Sequence, residues 1–175
     1  KGHVKQIKAA AKAIAKAERP VLYAGGGVIT AAAHKELQQI ARLMKIPVTT
    51  TLMGLGVYPE TDDLSLGMLG MHGTGYANYA VTNCDLLIGV GVRFDDRVTG
   101  KLSTFARHAK KIHIDIDPAE ISKNVPVDIP IVGDAKDVLG GMLAELKALK
   151  PGRKQTAAWI DQVKDWKKKH PLTYK

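Results

Sequence analysis

The stretch Asp85-Leu86-Leu87-Ile88-Gly89-Val90-Gly91-Val92-Arg93-Phe94-Asp95-Asp96-Arg97-Val98-Thr99-Gly100 decides the fold. It opens with a short apolar run, Leu86 to Val90, that shows no polar alternation. A strand of that kind is buried on both faces, as in a parallel sheet covered by helices. Gly89 and Gly91 stand where the strand ends, and Arg93, Asp95, Asp96 and Arg97 follow at once. In open α/β sheets the ligand crevice lies outside the carboxyl ends of the strands. The stretch therefore reads as a buried strand that delivers glycines and charge to a binding edge.

Toward the amino terminus, residues 3–18 read as an amphipathic helix, with Val4, Ile7, Ala11 and Ile14 on one face and lysines on another. Pro20 to Ala24 is a strand that runs into Gly25, Gly26 and Gly27. Thr30 is placed to cap a helix over 31–44, and a second strand covers 47–51. Residues 57–73, with Pro59, Asp62, Asp63 and several glycines, read as irregular. Connections that long in a compact domain usually serve a function. Thr74 then caps a helix through Tyr76, Tyr79, Ala80 and Val81.

Toward the carboxyl terminus, a crossover helix is expected over 103–110 and a strand over 111–117, closed by Pro118. A short helical segment near Ala119, a strand from Ile129 to Val132 and a helix over 135–150 follow, and Pro151-Gly152 breaks that helix. A charged helix over about 155–170 comes last. Strands alternating with helices at this rhythm give a parallel sheet with right-handed crossovers.

A chain of 175 residues can bury one core. No apolar run approaches the ~18 residues a membrane helix needs, so no membrane contact is expected. Cys84 is the one cysteine, so no internal disulfide forms. The net charge of +9 sits at the ends. Residues 1–19 carry six Lys/Arg against one acid and residues 150–175 carry eight against two, while those between are net −2. Neither end has the aromatic interleaving of a nucleic-acid module, so the charges read as solvated helix faces or faces toward other domains.

Gly25, Gly26 and Gly27 allow close backbone approach to a phosphate, or simply a tight turn. The Gly-x-Gly-x-x-Gly dinucleotide fingerprint is absent, because Thr30 and Phe94 occupy the third-glycine positions of the two candidate runs. Asp115, 24 residues beyond Gly91, lies near the spacing of a ribose-binding acid, and a strand-end Asp is equally a turn former. Arg93 and Arg97 suit a pyrophosphate, and Asp95 and Asp96 are alternatively their salt-bridge partners. His72 is a ligand contact or a filler, and Asp134 is most simply a helix cap. Thr51, Leu52 and Met53 offer backbone groups and an apolar wall. No metal-ligand spacing and no nucleophile–base set is present.

Thr50-Thr51-Leu52-Met53-Gly54-Leu55-Gly56, Gly70-Met71-His72-Gly73, the Gly91 to Gly100 run and Asp115-Ile116-Asp117-Pro118-Ala119-Glu120-Ile121 occur in this order. Together they closely resemble the central domain of the catalytic subunit of acetohydroxyacid synthase (acetolactate synthase), a thiamine-diphosphate enzyme of branched-chain amino-acid biosynthesis. The resemblance implies an α/β, Rossmann-like domain with a six-stranded parallel sheet, helices on both faces and bound FAD. It places flavin contacts on Gly25, Gly26, Gly27, Thr51, Leu52 and Met53, and on Leu69, Gly70, Met71 and His72. Further contacts fall on Gly91, Arg93, Asp95, Arg97 and Val98, then on Asp115, Ile116, Glu120, Gly133 and Asp134. Met71, Asp96 and Arg97 would lie near the substrate channel.

On this reading residues 1–19 form a linker helix from another domain, 20–150 the FAD-binding domain, and 151–175 a helix and linker to a further domain. Thiamine diphosphate and Mg would be held by domains absent here, so the chain alone would be inactive. A homo-oligomer with a regulatory subunit, in cytoplasm or plastid, is implied for the whole enzyme. Competing readings are a structural domain without nucleotide and an NAD-binding domain; nucleic-acid binding is more distant.

Overall fold

The computed structural model describes residues 2–101, 103–149 and 153–172, with the side chains of Asp96, Arg97, Arg153 and Lys154 outside that description. Strands β1 (Pro20–Ala24), β2 (Val48–Thr50), β3 (Ser65–Met68), β4 (Leu86–Val90), β5 (Lys110–Asp115) and β6 (Ile129–Val132) form one sheet. Its order is β3-β2-β1-β4-β5-β6, and every neighbouring pair is parallel. That is the doubly wound arrangement, whose direction of growth reverses between β1 and β4. The expected six-stranded, Rossmann-like α/β sheet is present, with β1 and β4 buried at every residue.

The helices are α1 (Val4–Lys16), α2 (Gly26–Thr30), α3 (His34–Met44), α4 (Gly75–Asn83), α5 (Asp96–Thr99), α6 (Ala135–Leu149) and α7 (Ala157–Lys169). On one face, Ile14 of α1, Leu37 and Ile40 of α3 and Leu139 of α6 pack on Leu22, Ile88 and Ile112. On the other, Ala77 and Ala80 of α4 and Trp159 and Val163 of α7 pack with Val21, Tyr23 and Leu87. Each large aliphatic chain fully removed from water contributes about 1.5–3 kcal/mol. The terminal helices share in this burial. The Trp159 indole N–H donates to Pro20 O (3.0 Å), and the Gln155 amide donates to Ala15 O (2.7 Å) and Ala17 O (3.0 Å).

Several local expectations give way. Thr30 caps nothing: it closes α2, its hydroxyl donating back to Gly26 O (3.2 Å), and the longer helix starts at His34. The triple glycine itself opens α2, with Gly25 as the residue before the helix. Residues 57–73 are not wholly irregular, because β3 pairs with β2 at the sheet edge. The helix expected over 103–110 is absent: turns fill that interval, β5 starts at Lys110, and the helical turn of the crossover is α5. Leu102 lies outside the described residues. The segment near Ala119 is a turn, closed by Asp117 Oδ1 accepting from the Ala119 amide (2.9 Å). Lys150, Pro151 and Gly152 also lie outside the described residues. Thr74 does cap α4, its hydroxyl accepting from the Ala77 amide (3.0 Å) while donating to Leu66 O (2.7 Å).

Candidate functional site

Just past the strand ends, the sheet ladder is continued by the residues singled out in the sequence. The Gly25 amide donates to Val90 O (3.0 Å), Thr51 to Ala24 O (3.0 Å) and Leu69 to Thr50 O (3.2 Å). Gly91 donates to Ile114 O (2.8 Å) and Gly133 to Asp115 O (2.9 Å). These bonds bring the separate sequence motifs to one carboxyl-terminal rim.

Two of the glycine sets meet each other there. A Cβ on Gly25 would overlap Gly91 O, one on Gly27 would sit 2.6 Å from Gly91 Cα, and Gly91 itself has a φ of +56°. Bare backbone is thus required at all three positions so that the turn before α2 can lie against the end of β4. Gly26 differs, since its missing Cβ would face the Met53 side chain at 3.2 Å.

At the β1/β4 reversal the rim opens into a cleft of about 590 Å³. That is within the range of small-molecule sites. Gly26 and Gly27 line it from β1, and Thr51, Leu52 and Met53 from β2. Leu69, Met71 and His72 line it beyond β3, and Gly91, Arg93, Asp95 and Val98 beyond β4. Met53 and Met71 are 74% and 79% exposed, an apolar lip rather than core. Gly70 stands just behind the lining, clamped by Asn78, whose side-chain carbonyl accepts from the Gly70 amide (3.2 Å) and whose NH₂ donates to Gly70 O (3.0 Å). The side chains of Asp96 and Arg97 lie outside the described residues.

The remaining predicted residues sit along the β5 and β6 ends and do not line this cleft. Asp115 Oδ1 accepts from the Asp117 amide (2.9 Å), and Glu120 pairs with Lys123 (3.1 Å). Asp134 accepts from the Asp137 amide (3.1 Å), so its capping role holds. Ile116 is exposed beside them. The Gly91 amide, donating to Ile114 O, joins this flank to the cleft wall.

The segment that carries Arg93 and Asp95 is fixed from below. Phe94 folds back over β4, where a Cβ on Gly89 would lie 2.9 Å from its ring. His113, wholly buried on β5, meets Phe94 edge-on at 4.9 Å, and its Nε2–H donates to Val92 O (2.9 Å). Burial holds the His113 pKa below the usual range, so a neutral ring makes this bond. The Asn124 NH₂ donates to Phe94 O (2.8 Å). None of His113, Asn124 or Asn78 was singled out from sequence. The one available signal was a histidine inside an apolar strand, which needs a partner once buried.

Chemically the cleft offers an apolar lip, glycine backbone and a guanidinium, which suits a flat ring joined to a phosphate-bearing chain. The buried Cys84 thiol, pushed up to about 12 by burial, is no nucleophile. Among the described residues no three His, Cys, Asp or Glu side chains are grouped to hold a metal ion. No helix among them is long and apolar enough to cross a membrane.

The family model for the thiamine pyrophosphate enzyme, central domain, matches residues 7–142. The probable acetolactate synthase large subunit of Methanocaldococcus jannaschii is 60% identical over 167 residues, covering 95% of this chain and 28% of that protein. The acetolactate synthase large subunit of Parasynechococcus marenigrum is 53% identical over 95% of this chain and 27% of that protein. That of Corynebacterium glutamicum is 52% identical over 98% of this chain and 28% of that protein. The chain thus spans 27–28% of the length of these relatives.

Proposed function

This chain belongs to the thiamine pyrophosphate enzyme central-domain family, and on that footing we propose that it is the FAD-binding middle domain of an acetolactate synthase large subunit. The whole enzyme would decarboxylate pyruvate and join the two-carbon unit to a second pyruvate or to 2-oxobutyrate. Thiamine diphosphate, which carries the two-carbon unit, and Mg would be bound by other parts of the polypeptide. The enzyme would work as a homo-oligomer with a regulatory subunit, in cytoplasm or plastid. This chain alone would not catalyse the reaction.

The observation that carries the reading is the glycine-lined cleft at the β1/β4 reversal, with Arg93 on one wall and Met53 and Met71 at its lip. Gly26 and Gly27 would lie along the ligand backbone, and Arg93, with Arg97, would pair with the diphosphate. The methionines would flank the ring. The ligand would continue over Gly91 toward Asp115, Ile116 and Glu120, with Gly133 and Asp134 beyond. Met71, Asp96 and Arg97 would border the substrate path. A scaffold that had lost its nucleotide would gain nothing from an exposed methionine lip, which water disfavours.

The test is titration of the full-length apoprotein with FAD, followed by quenching of flavin fluorescence. Arg93→Ala should weaken binding about tenfold or more, the loss of a charge-assisted contact, with the melting temperature unchanged. No quenching with the unsubstituted protein would end the FAD reading. Unchanged affinity in Arg93→Ala would end the diphosphate assignment.

A further inference from the structure

Tyr23, at the fourth position of β1, is 0% exposed, and its hydroxyl has no hydrogen-bond partner among the described residues. The sheet register shows why its neighbours leave it so. Tyr23 stands opposite Thr49 on β2 and Gly89 on β4. The Thr49 hydroxyl is committed to Gly67 O (2.8 Å), and Gly89 has no side chain. The space above Gly89 is taken by the apolar ring of Phe94, whose centroid lies 5.9 Å from that of Tyr23. A phenylalanine would fill this slot without leaving a polar atom stripped of water, which folding alone disfavours. Tyr23 also lines the cleft, together with Gly26, Gly27 and Arg93.

Resting on the FAD reading of this cleft, we propose that the Tyr23 hydroxyl is a ligand-binding group at its floor, donating a hydrogen bond to a neutral hydroxyl of the ligand's polyol (ribityl) chain. The choice of a neutral oxygen follows from Asp95, which lines the same cleft as Tyr23. Burial, and to a lesser extent the Asp95 carboxylate, keep the phenol protonated and hence a donor. A phosphate oxygen at the same spot would meet that carboxylate as a like charge. A ligand hydroxyl can instead accept from Tyr23 and present its own proton toward Asp95. Nothing else identified in the site requires a tyrosine at this position.

The experiment compares the full-length protein with its Tyr23→Phe variant, using FAD and an FAD analogue whose ribityl hydroxyls are replaced by hydrogen. The variant should bind FAD about five- to tenfold more weakly, the loss of one neutral hydrogen bond in a buried site. Its ligand-free form should melt no lower than the unsubstituted protein, because no internal bond is lost. The analogue should bind both proteins alike. Equal FAD affinity in the two proteins, or a ligand-free variant that melts several degrees lower, would overturn the Tyr23 assignment while leaving the cleft reading intact. Failure of the unsubstituted protein to bind FAD at all would overturn both.

Discussion

At the amino-terminal edge of the sheet, the Asp85 carboxylate accepts from the amides of Glu18 (2.8 Å) and Arg19 (2.9 Å), and Asp128 accepts from the amide of Lys111 (2.8 Å). At the carboxyl-terminal edge, Met53 and Met71 lie exposed and the Tyr23 hydroxyl has no partner among the described residues. The first edge satisfies its own backbone. The second leaves apolar side chains in water and a polar atom dry, both of which oppose folding and are tolerated where a ligand or neighbour completes them. The β5 and β6 ends lie between these extremes, since Asp115, Glu120 and Asp134 each have an internal contact. Acids with work at home weigh less as evidence of a ligand than an orphaned phenol does.

The contrast is sharpened most by Gly91→Ala. The change forces a side chain into a φ of +56° and onto the backbone of Gly27. Strain and overpacking together should cost about 3–5 kcal/mol, read as a fall in the urea midpoint. Unchanged stability with lost flavin binding would mean that Gly91 serves the ligand alone. Next comes Asp85→Ala at the opposite edge, which strips two amides of a charged acceptor and should cost about 2 kcal/mol. FAD affinity, measured by fluorescence quenching on the same protein, should not move. A variant that kept its stability and lost flavin would break the division between the edges.

Much of this was legible because buried parallel strands write themselves as apolar runs. Pro20 to Ala24, Leu86 to Val90 and Ile129 to Val132 appear in the structure with those bounds. β3 was not legible: Ser65-Leu66-Gly67-Met68 is short, broken by glycine and placed at the edge, where half its pairing is missing. The absent helix over 103–110 has a similar cause. Phe105, Ala106 and Ala109 are buried as a helix face would be, yet Ala106 has a φ of +43° and the segment turns. Apolar spacing reported burial there, and burial does not fix conformation. In the site, Gly25, Gly27 and Gly91 stood out as backbone at the strand ends, and the structure sets them against one another there, while Tyr23, His113 and Asn124 were missed. A phenol or imidazole inside an apolar run looks like core, and only a hydrogen-bond account of the folded chain tells which one is paired.

The smallest expected effect concerns His113, which ties the rim segment to the body of the sheet. Its folded-state pKa lies below the ordinary value of about 6.5, chiefly through burial, although the Val92 carbonyl, Asp115 and Glu120 pull the other way. Below pH ~6.5 the unfolded chain therefore binds a proton at this residue that the folded chain does not. The unfolded state gains protons, so stability falls as pH falls, by at most about 1.4 kcal/mol per pH unit, until the folded pKa is passed. Above pH ~6.5 the residue contributes no slope. Urea unfolding of the protein and of His113→Gln across this range should give curves that are parallel at neutral pH and converge on the acid side, other carboxylates contributing equally to both. If the two stay parallel throughout, the ring is not held neutral in the core.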